Sequence, residues 1–272
     1  MRYSSPKRLG TILLASGAIA LSACSGKQEP SVVKNRSDPP AQMPAPVVLP
    51  VTTMSDVFDG SFTDTAQPVT ALLQDDGSYY LVYSGNGQAP AGAIVGSATR
   101  TNGGYASADA ADLSLIGTGS QTPAPATLNG SIMAGKSFSG MVTYSSARGA
   151  IAFSTTYNDA YTRMPPLSLL AGTYAGAIAT RSLKEDQLEL AISASGAVSS
   201  KLRCGCNVTA TLAPRSDGAA YIVTLQFVGG THPLSNKSMA GNVYFDAARK
   251  RVYIVGNVNG TENALFVGTR VR

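Results

Sequence analysis

Lys136-Ser137-Phe138-Ser139-Gly140-Met141-Val142-Thr143-Tyr144-Ser145-Ser146-Ala147-Arg148 recurs, with changes, 101 residues later as Lys237-Ser238-Met239-Ala240-Gly241-Asn242-Val243-Tyr244-Phe245-Asp246-Ala247-Ala248-Arg249. Six positions are identical, and Tyr144 is exchanged for Phe245. In each copy apolar residues alternate around a glycine and then yield to an Ala-Arg turn, the pattern of a half-buried strand entering a hairpin. The openings correspond as well: Gly60-Ser61-Phe62 and Gly172-Thr173-Tyr174. Low complexity alone does not keep one offset through Lys, Val, aromatic and Arg positions together. The chain therefore reads as two related β modules, residues 57–158 and 167–272, with a boundary at Pro165-Pro166.

Composition points the same way. The chain has 28 Gly, 12 Tyr, no Trp and only 14% charged residues, and no long stretch combines apolar residues at helical spacing with a charged outer face. Short runs rich in Val, Ile, Thr, Tyr and Phe recur instead. Tyr79, Leu81 and Tyr83 share one face of such a run, and so do Tyr221, Val223, Leu225 and Phe227. Asp75-Asp76-Gly77-Ser78 and Asn259-Gly260 are hairpin signals. Residues 85–130 are harder to read, because Ala89–Ser97 and Gly103–Ser107 suit weak strands or loops equally. The expected fold class is all-β, with roughly six to eight antiparallel strands per module. Each module closes as a small barrel or packs as a sandwich, the barrel being favoured by the succession of hairpins.

Upstream of the modules the composition changes twice. Arg2, Lys7 and Arg8 precede a thirteen-residue uncharged run, Leu9 to Leu21. As a helix this run would span about 20 Å, short of the bilayer core of about 30 Å, so it reads as a cleaved secretory segment, residues 1–23. Residues 24–56 contain six prolines among polar residues, which can neither bury a core nor continue a helix, and read as a disordered tether. Leu21-Ser22-Ala23-Cys24 resembles the lipobox of bacterial lipoproteins. That resemblance implies a diacylglycerol thioether on Cys24 and an acylated, palmitate-type amino terminus. It also implies the outer membrane as destination, because Ser25 stands where inner-membrane lipoproteins of the class carry Asp. Lipobox, tether and paired β modules together are similar in layout to transferrin-binding-protein-like and factor-H-binding-protein-like surface lipoproteins. No binding motif of those families is found, so no binding residue carries over.

With the segment before Cys24 removed, 18 basic residues face 16 acidic ones, which gives no case for nucleic acid. The charge is unevenly divided: residues 57–157 hold three basic and six acidic residues, residues 168–272 eleven and six. Such asymmetry can steer an anionic partner toward the second module, whose densest cluster is Arg249-Lys250-Arg251.

Chemistry is sparse. The one histidine, His232, sits beside Pro233 and reads as a solvated loop residue, which removes histidine-rich zinc sites. No Gly-x-Ser-x-Gly elbow occurs at a strand-to-helix turn. Asp109 and Asp112 do not match the alternating ligand loop of calcium-binding hands. Cys204 and Cys206 flank Gly205 in a secreted chain. A mutual disulfide, two buried thiols, a redox or metal pair with His232, and pairing with another protein all remain open, the mutual disulfide being the one expected. No metal or cofactor is expected. The favoured function is a non-enzymatic binding lipoprotein that presents the β modules to a protein or small-molecule ligand. The alternatives are a periplasm-facing envelope scaffold or assembly accessory and, less favoured, a hydrolase with a dispersed site.

Overall fold

The computed structural model describes residues 56–85, 89–101, 103–201, 207–215, 220–231 and 233–272. The segment 1–23, the tether apart from Asp56, Cys24, Cys204, Cys206 and His232 lie outside the described residues.

Ten strands occupy the first module: β1 (Asp56–Phe62), β2 (Pro68–Leu73), β3 (Ser78–Ser84), β4 (Pro90–Ser97), β5 (Thr99–Thr101), β6 (Gly104–Ser114), β7 (Gly119–Ser120), β8 (Ala124–Met133), β9 (Ser137–Tyr144) and β10 (Ala150–Tyr157). Antiparallel pairing runs β1-β2-β3-β4-β6-β8-β9-β10 and returns to β1, closing an eight-stranded barrel. After a 3-10 turn at Asp159–Thr162 and a single helical turn, α1 (Leu167–Leu170), the second module begins. Its strands are β11 (Gly172–Thr180), β12 (Leu183–Ile192), β13 (Ala197–Lys201), β14 (Asn207–Thr211), β15 (Ala213–Pro214), β16 (Tyr221–Val228), β17 (Ser238–Asp246), β18 (Arg251–Val258) and β19 (Glu262–Arg270). Here β11-β12-β13-β14-β16-β17-β18-β19 closes on β11, a second eight-stranded meander. Barrel, not sandwich, is the architecture of both.

The hairpin signals fall where they were expected. Asn259 and Gly260 take φ of 49° and 72° between β18 and β19, as a tight turn matched to strand twist requires. Gly77 has φ 85°, and the Asp76 carboxylate accepts the Ser78 amide at 2.9 Å. One open stretch is settled, and one boundary moves. Residues 85–130 contain three ring strands, β4, β6 and β8, whose Ala, Gly and Ser residues suit the crowded interior of so small a barrel. The apolar run Leu169–Ile178 reads from sequence as one strand, but the strand starts only at Gly172. With Pro165-Pro166 just upstream, Leu167–Leu170 turns as α1 and drops Leu170, fully buried, into the end of the second barrel.

The repeated stretch lands on β9 and β17 with their following turns, the seventh ring strand of one barrel but the sixth of the other. It marks a shared strand-and-turn unit rather than equivalent barrel positions. Its glycine has one physical reason in both places. A Cβ on Gly140 would lie 2.8 Å from the Gly130 Cα, and one on Gly241 2.8 Å from the Gly256 Cα. Only bare backbones can cross that closely, and the crossing bends the strands enough to close a ring of eight.

Both interiors are filled. The first barrel stacks aromatic rings, with Tyr105 and Phe153 each 5.0 Å edge-on from Phe138. The second is mainly aliphatic, and the void among Ile178, Leu188, Leu225 and Phe266 is about 10 Å³, too small to hold a ligand. The two barrels are fused along their outer walls. Leu72, Tyr80, Val82, Val95 and Leu113 of the first pack on Ala179, Tyr244, Tyr253, Val255, Leu265 and Val267 of the second, all buried. On these strands both faces are covered, as in β3, whose Tyr79 and Leu81 point inward while Tyr80 and Val82 point to the seam. Two hydrogen bonds cross the seam: the Tyr80 hydroxyl donates to the Gly256 carbonyl at 2.7 Å, and the Gln74 Nε2 to the Tyr244 hydroxyl at 3.0 Å.

Candidate functional site

A buried carboxylate at one end of the first barrel organises the most distinctive polar constellation. On β6 the register shifts between Ser107 and Ala110. This bulge puts Ala110 and Asp112 on the interior side and leaves Ala111 and Leu113 for the seam. The Asp112 Oδ1 accepts the Tyr83 hydroxyl at 2.7 Å. Its Oδ2 accepts the Tyr144 hydroxyl at 2.9 Å and the Arg148 Nη1 at 2.6 Å. Arg148 also lies over the Tyr144 ring, 4.5 Å from its centroid. The Asp112 side chain is 4% exposed and that of Arg148 is 51% exposed, so the pair has one foot inside the barrel and one in solvent.

Electrostatics lock the protonation states. Burial, reinforced by the Asp112 charge, pushes both the Tyr83 and the Tyr144 hydroxyl well above the ordinary tyrosine value. Both stay neutral donors at any physiological pH. For Arg148 burial opposes the charge, but Tyr144, Asp112 and Tyr83 outweigh it and hold the guanidinium above its usual value. A charged donor to a carboxylate is among the stronger hydrogen bonds.

Arg148 opens into a recess of about 420 Å³ where the end of the first barrel meets the β11–β12 hairpin of the second. The loop carrying β7 builds its wall. β7 pairs with β12, Ser120 opposite Leu183 and Gly119 opposite Lys184. The Gln121 side chain accepts from the Ser114 amide at 3.1 Å and donates to the Thr180 and Leu183 carbonyls at 2.6 and 2.9 Å. The Asp186 carboxylate holds the Gly117 amide at 2.7 Å. These bonds seat Lys184 at the rim, facing the space that Arg148 enters. Among the described residues the Lys184 ammonium has no partner.

The structure separates the other sequence candidates. Arg249-Lys250-Arg251 is not an open basic patch. Arg249 bonds Asp246 at 2.6 Å and reaches Asp59 of the first barrel at 3.3 Å. Arg251 is buried, so only Lys250 of the three projects fully into solvent. Asp109 does not join Asp112. It lies on the far side of the bulge, 3.6 Å from Arg181 and bonded to the Ser97 amide and the Ser107 hydroxyl. Among the described residues no three His, Cys, Asp or Glu side chains gather as metal ligands. The Asp112 constellation was missed from sequence, where the sole hint was a carboxylate in an Ala-rich strand phased toward the interior.

No family model and no curated protein matches the chain. Two solved structures show loose likeness. One is a candidate outer membrane protein from Bacteroides fragilis, 14% identical, covering 80% of this chain and 96% of that one with a TM-score of 0.24. The other is a Nostoc punctiforme protein of unknown function, 10% identical, covering 80% and 95% with a TM-score of 0.19. Likenesses this loose carry nothing about function.

Proposed function

We propose that the chain is a non-enzymatic binding lipoprotein, anchored in the bacterial outer membrane through Cys24, that offers its fused barrels to a ligand at their junction. One observation carries this reading: both barrel interiors are filled, whereas the junction recess displays positioned polar groups to solvent. Ligand sites are typically such concave places with a few convergent polar groups. Binding suits the geometry better than catalysis does. The Asp112 oxygens are occupied by three donors, so the carboxylate is not poised to take a proton from a substrate, and the neighbouring tyrosines hold their protons. The location rests on the resemblance of Leu21-Ser22-Ala23-Cys24 to a lipobox.

Membrane fractionation of Cys24→Ser tests the anchor; release from membranes or accumulation of precursor is expected, and normal fractionation would contradict it. Protease shaving of whole cells followed by affinity capture with the lipidated chain tests the binding role. A shaved protein that captures a reproducible ligand supports it. A shaving-resistant protein would favour the periplasm-facing accessory, and turnover of an envelope substrate would replace binding with catalysis.

A further inference from the structure

Resting on that reading, we infer that the junction recess binds a small hydroxylated monocarboxylate, an acidic sugar or a hydroxy acid, between Arg148 and Lys184. Charge decides the sign of the ligand. Asp112 balances Arg148, and Lys184 makes no ion pair among the described residues, so the recess lining, two cations and one carboxylate, is net positive by one charge. A monoanion cancels it, whereas a dianionic phosphate overshoots and a cation meets no free carboxylate oxygen. Geometry decides the class. Arg148 commits one nitrogen to Asp112 and is held over the Tyr144 ring. Its remaining N–H donors are left in a fixed plane, which suits the planar oxygens of a carboxylate. Preorganisation is built in, because the guanidinium is oriented before any ligand arrives. Beyond the two cations the wall offers the hydroxyls of Ser120 and Thr122 and the apolar Ala124, which fits a body bearing hydroxyl groups. The volume, about 420 Å³, falls in the range of small-molecule sites.

Isothermal titration of the full-length lipidated chain in detergent, with D-glucuronate as probe and D-glucose and inorganic phosphate beside it, tests the assignment. Glucuronate is expected to bind saturably, more tightly than phosphate, with glucose inert. Lys184→Gln removes no side-chain bond among the described residues and should weaken glucuronate roughly tenfold, the loss of one charge-assisted contact. Arg148→Lys keeps the charge but loses the fork and should weaken it as well. Unchanged affinity in Lys184→Gln, equal binding of glucose, tighter binding of phosphate, or no binding of glucuronate would each overturn the inference. Capture from cells separates the two levels. If the variants still capture the envelope ligand, the carboxylate assignment falls and the binding role stands; if the native chain captures nothing, both fall.

Discussion

Each barrel has an arginine lying over a tyrosine at one end, and the two ends have opposite fates. In the second barrel Arg270 sits 5.5 Å from the Tyr174 ring centroid and donates to its hydroxyl at 3.0 Å. The same guanidinium bonds the Leu169 carbonyl, and the Tyr174 hydroxyl donates to the Leu170 carbonyl at 2.6 Å. Arg270 thereby staples α1 across the opening, with Leu170 fully buried beneath it. In the first barrel Arg148 over Tyr144 binds a carboxylate from the barrel's own wall, and no plug follows. The difference teaches what the end groups are for. Arg270, which bonds the Leu169 carbonyl of α1 and the Tyr174 hydroxyl beneath it, is a closure. Arg148, held by a single nitrogen beside a lysine and open space, keeps donors that the proposed ligand would use.

The seam is where this contrast can be broken hardest. Tyr80→Ala empties a fully buried ring position between the barrels and removes the hydrogen bond to the Gly256 carbonyl, so denaturant titration should show a loss of about 3–5 kcal/mol. The loss should appear in both barrels at one midpoint, since neither wall is covered without the other. Next in size is the plug. Leu170→Ala should cost about 3 kcal/mol and speed hydrogen exchange at the α1 end of the second barrel, leaving the Arg148 end unmoved.

Alkaline pH acts on the whole assembly. Burial pushes the Tyr80 hydroxyl up from 10.0 to about 12, and Tyr79, Tyr83, Tyr105 and Tyr144 are raised further for the same first reason. Above pH 10 the unfolded chain releases these protons while the folded one keeps them, so stability falls as pH rises. Between pH 10 and 12 Tyr80 alone should remove about 2–3 kcal/mol. Tyrosinate absorbance should therefore rise in step with unfolding rather than ahead of it. Early, noncooperative ionisation would show the rings to be wetter than described.

Smallest is the opened end itself. Arg148→Gln leaves Asp112 buried with two tyrosine hydroxyls but no cation. Because Arg148 is half exposed, solvent screening limits the cost to about 1–2 kcal/mol. Thermal unfolding should detect it, and a loss as large as that of Leu170→Ala would mean the arginine is a closure after all.

Much of the barrel architecture is legible in the residues. Alternation shows plainly in β16, where Tyr221, Val223, Leu225 and Phe227 line the interior, and Asn259-Gly260 turns the chain as its two residue types demand. The strands hardest to read, β4 and β6, are rich in Ala, Gly and Ser where other strands carry branched side chains. The seam leaves a subtler trace. Tyr79-Tyr80-Leu81-Val82 and Val252-Tyr253-Ile254-Val255 are unbroken apolar runs, the sign of strands covered on both faces. The site is the least legible part. Tyr83, Tyr144 and Arg148 stand 29, 32 and 36 residues from Asp112. A β-bulge decides that they meet, and no local pattern encodes that.

Scanning calorimetry of the full-length chain tests the central claim most directly, namely that the unlike ends belong to one fused body. The account predicts a single transition whose calorimetric and van't Hoff enthalpies agree, shifted as one peak by Tyr80→Ala. Two resolved transitions, only one of them moved by Leu170→Ala and neither by the seam variant, would contradict it.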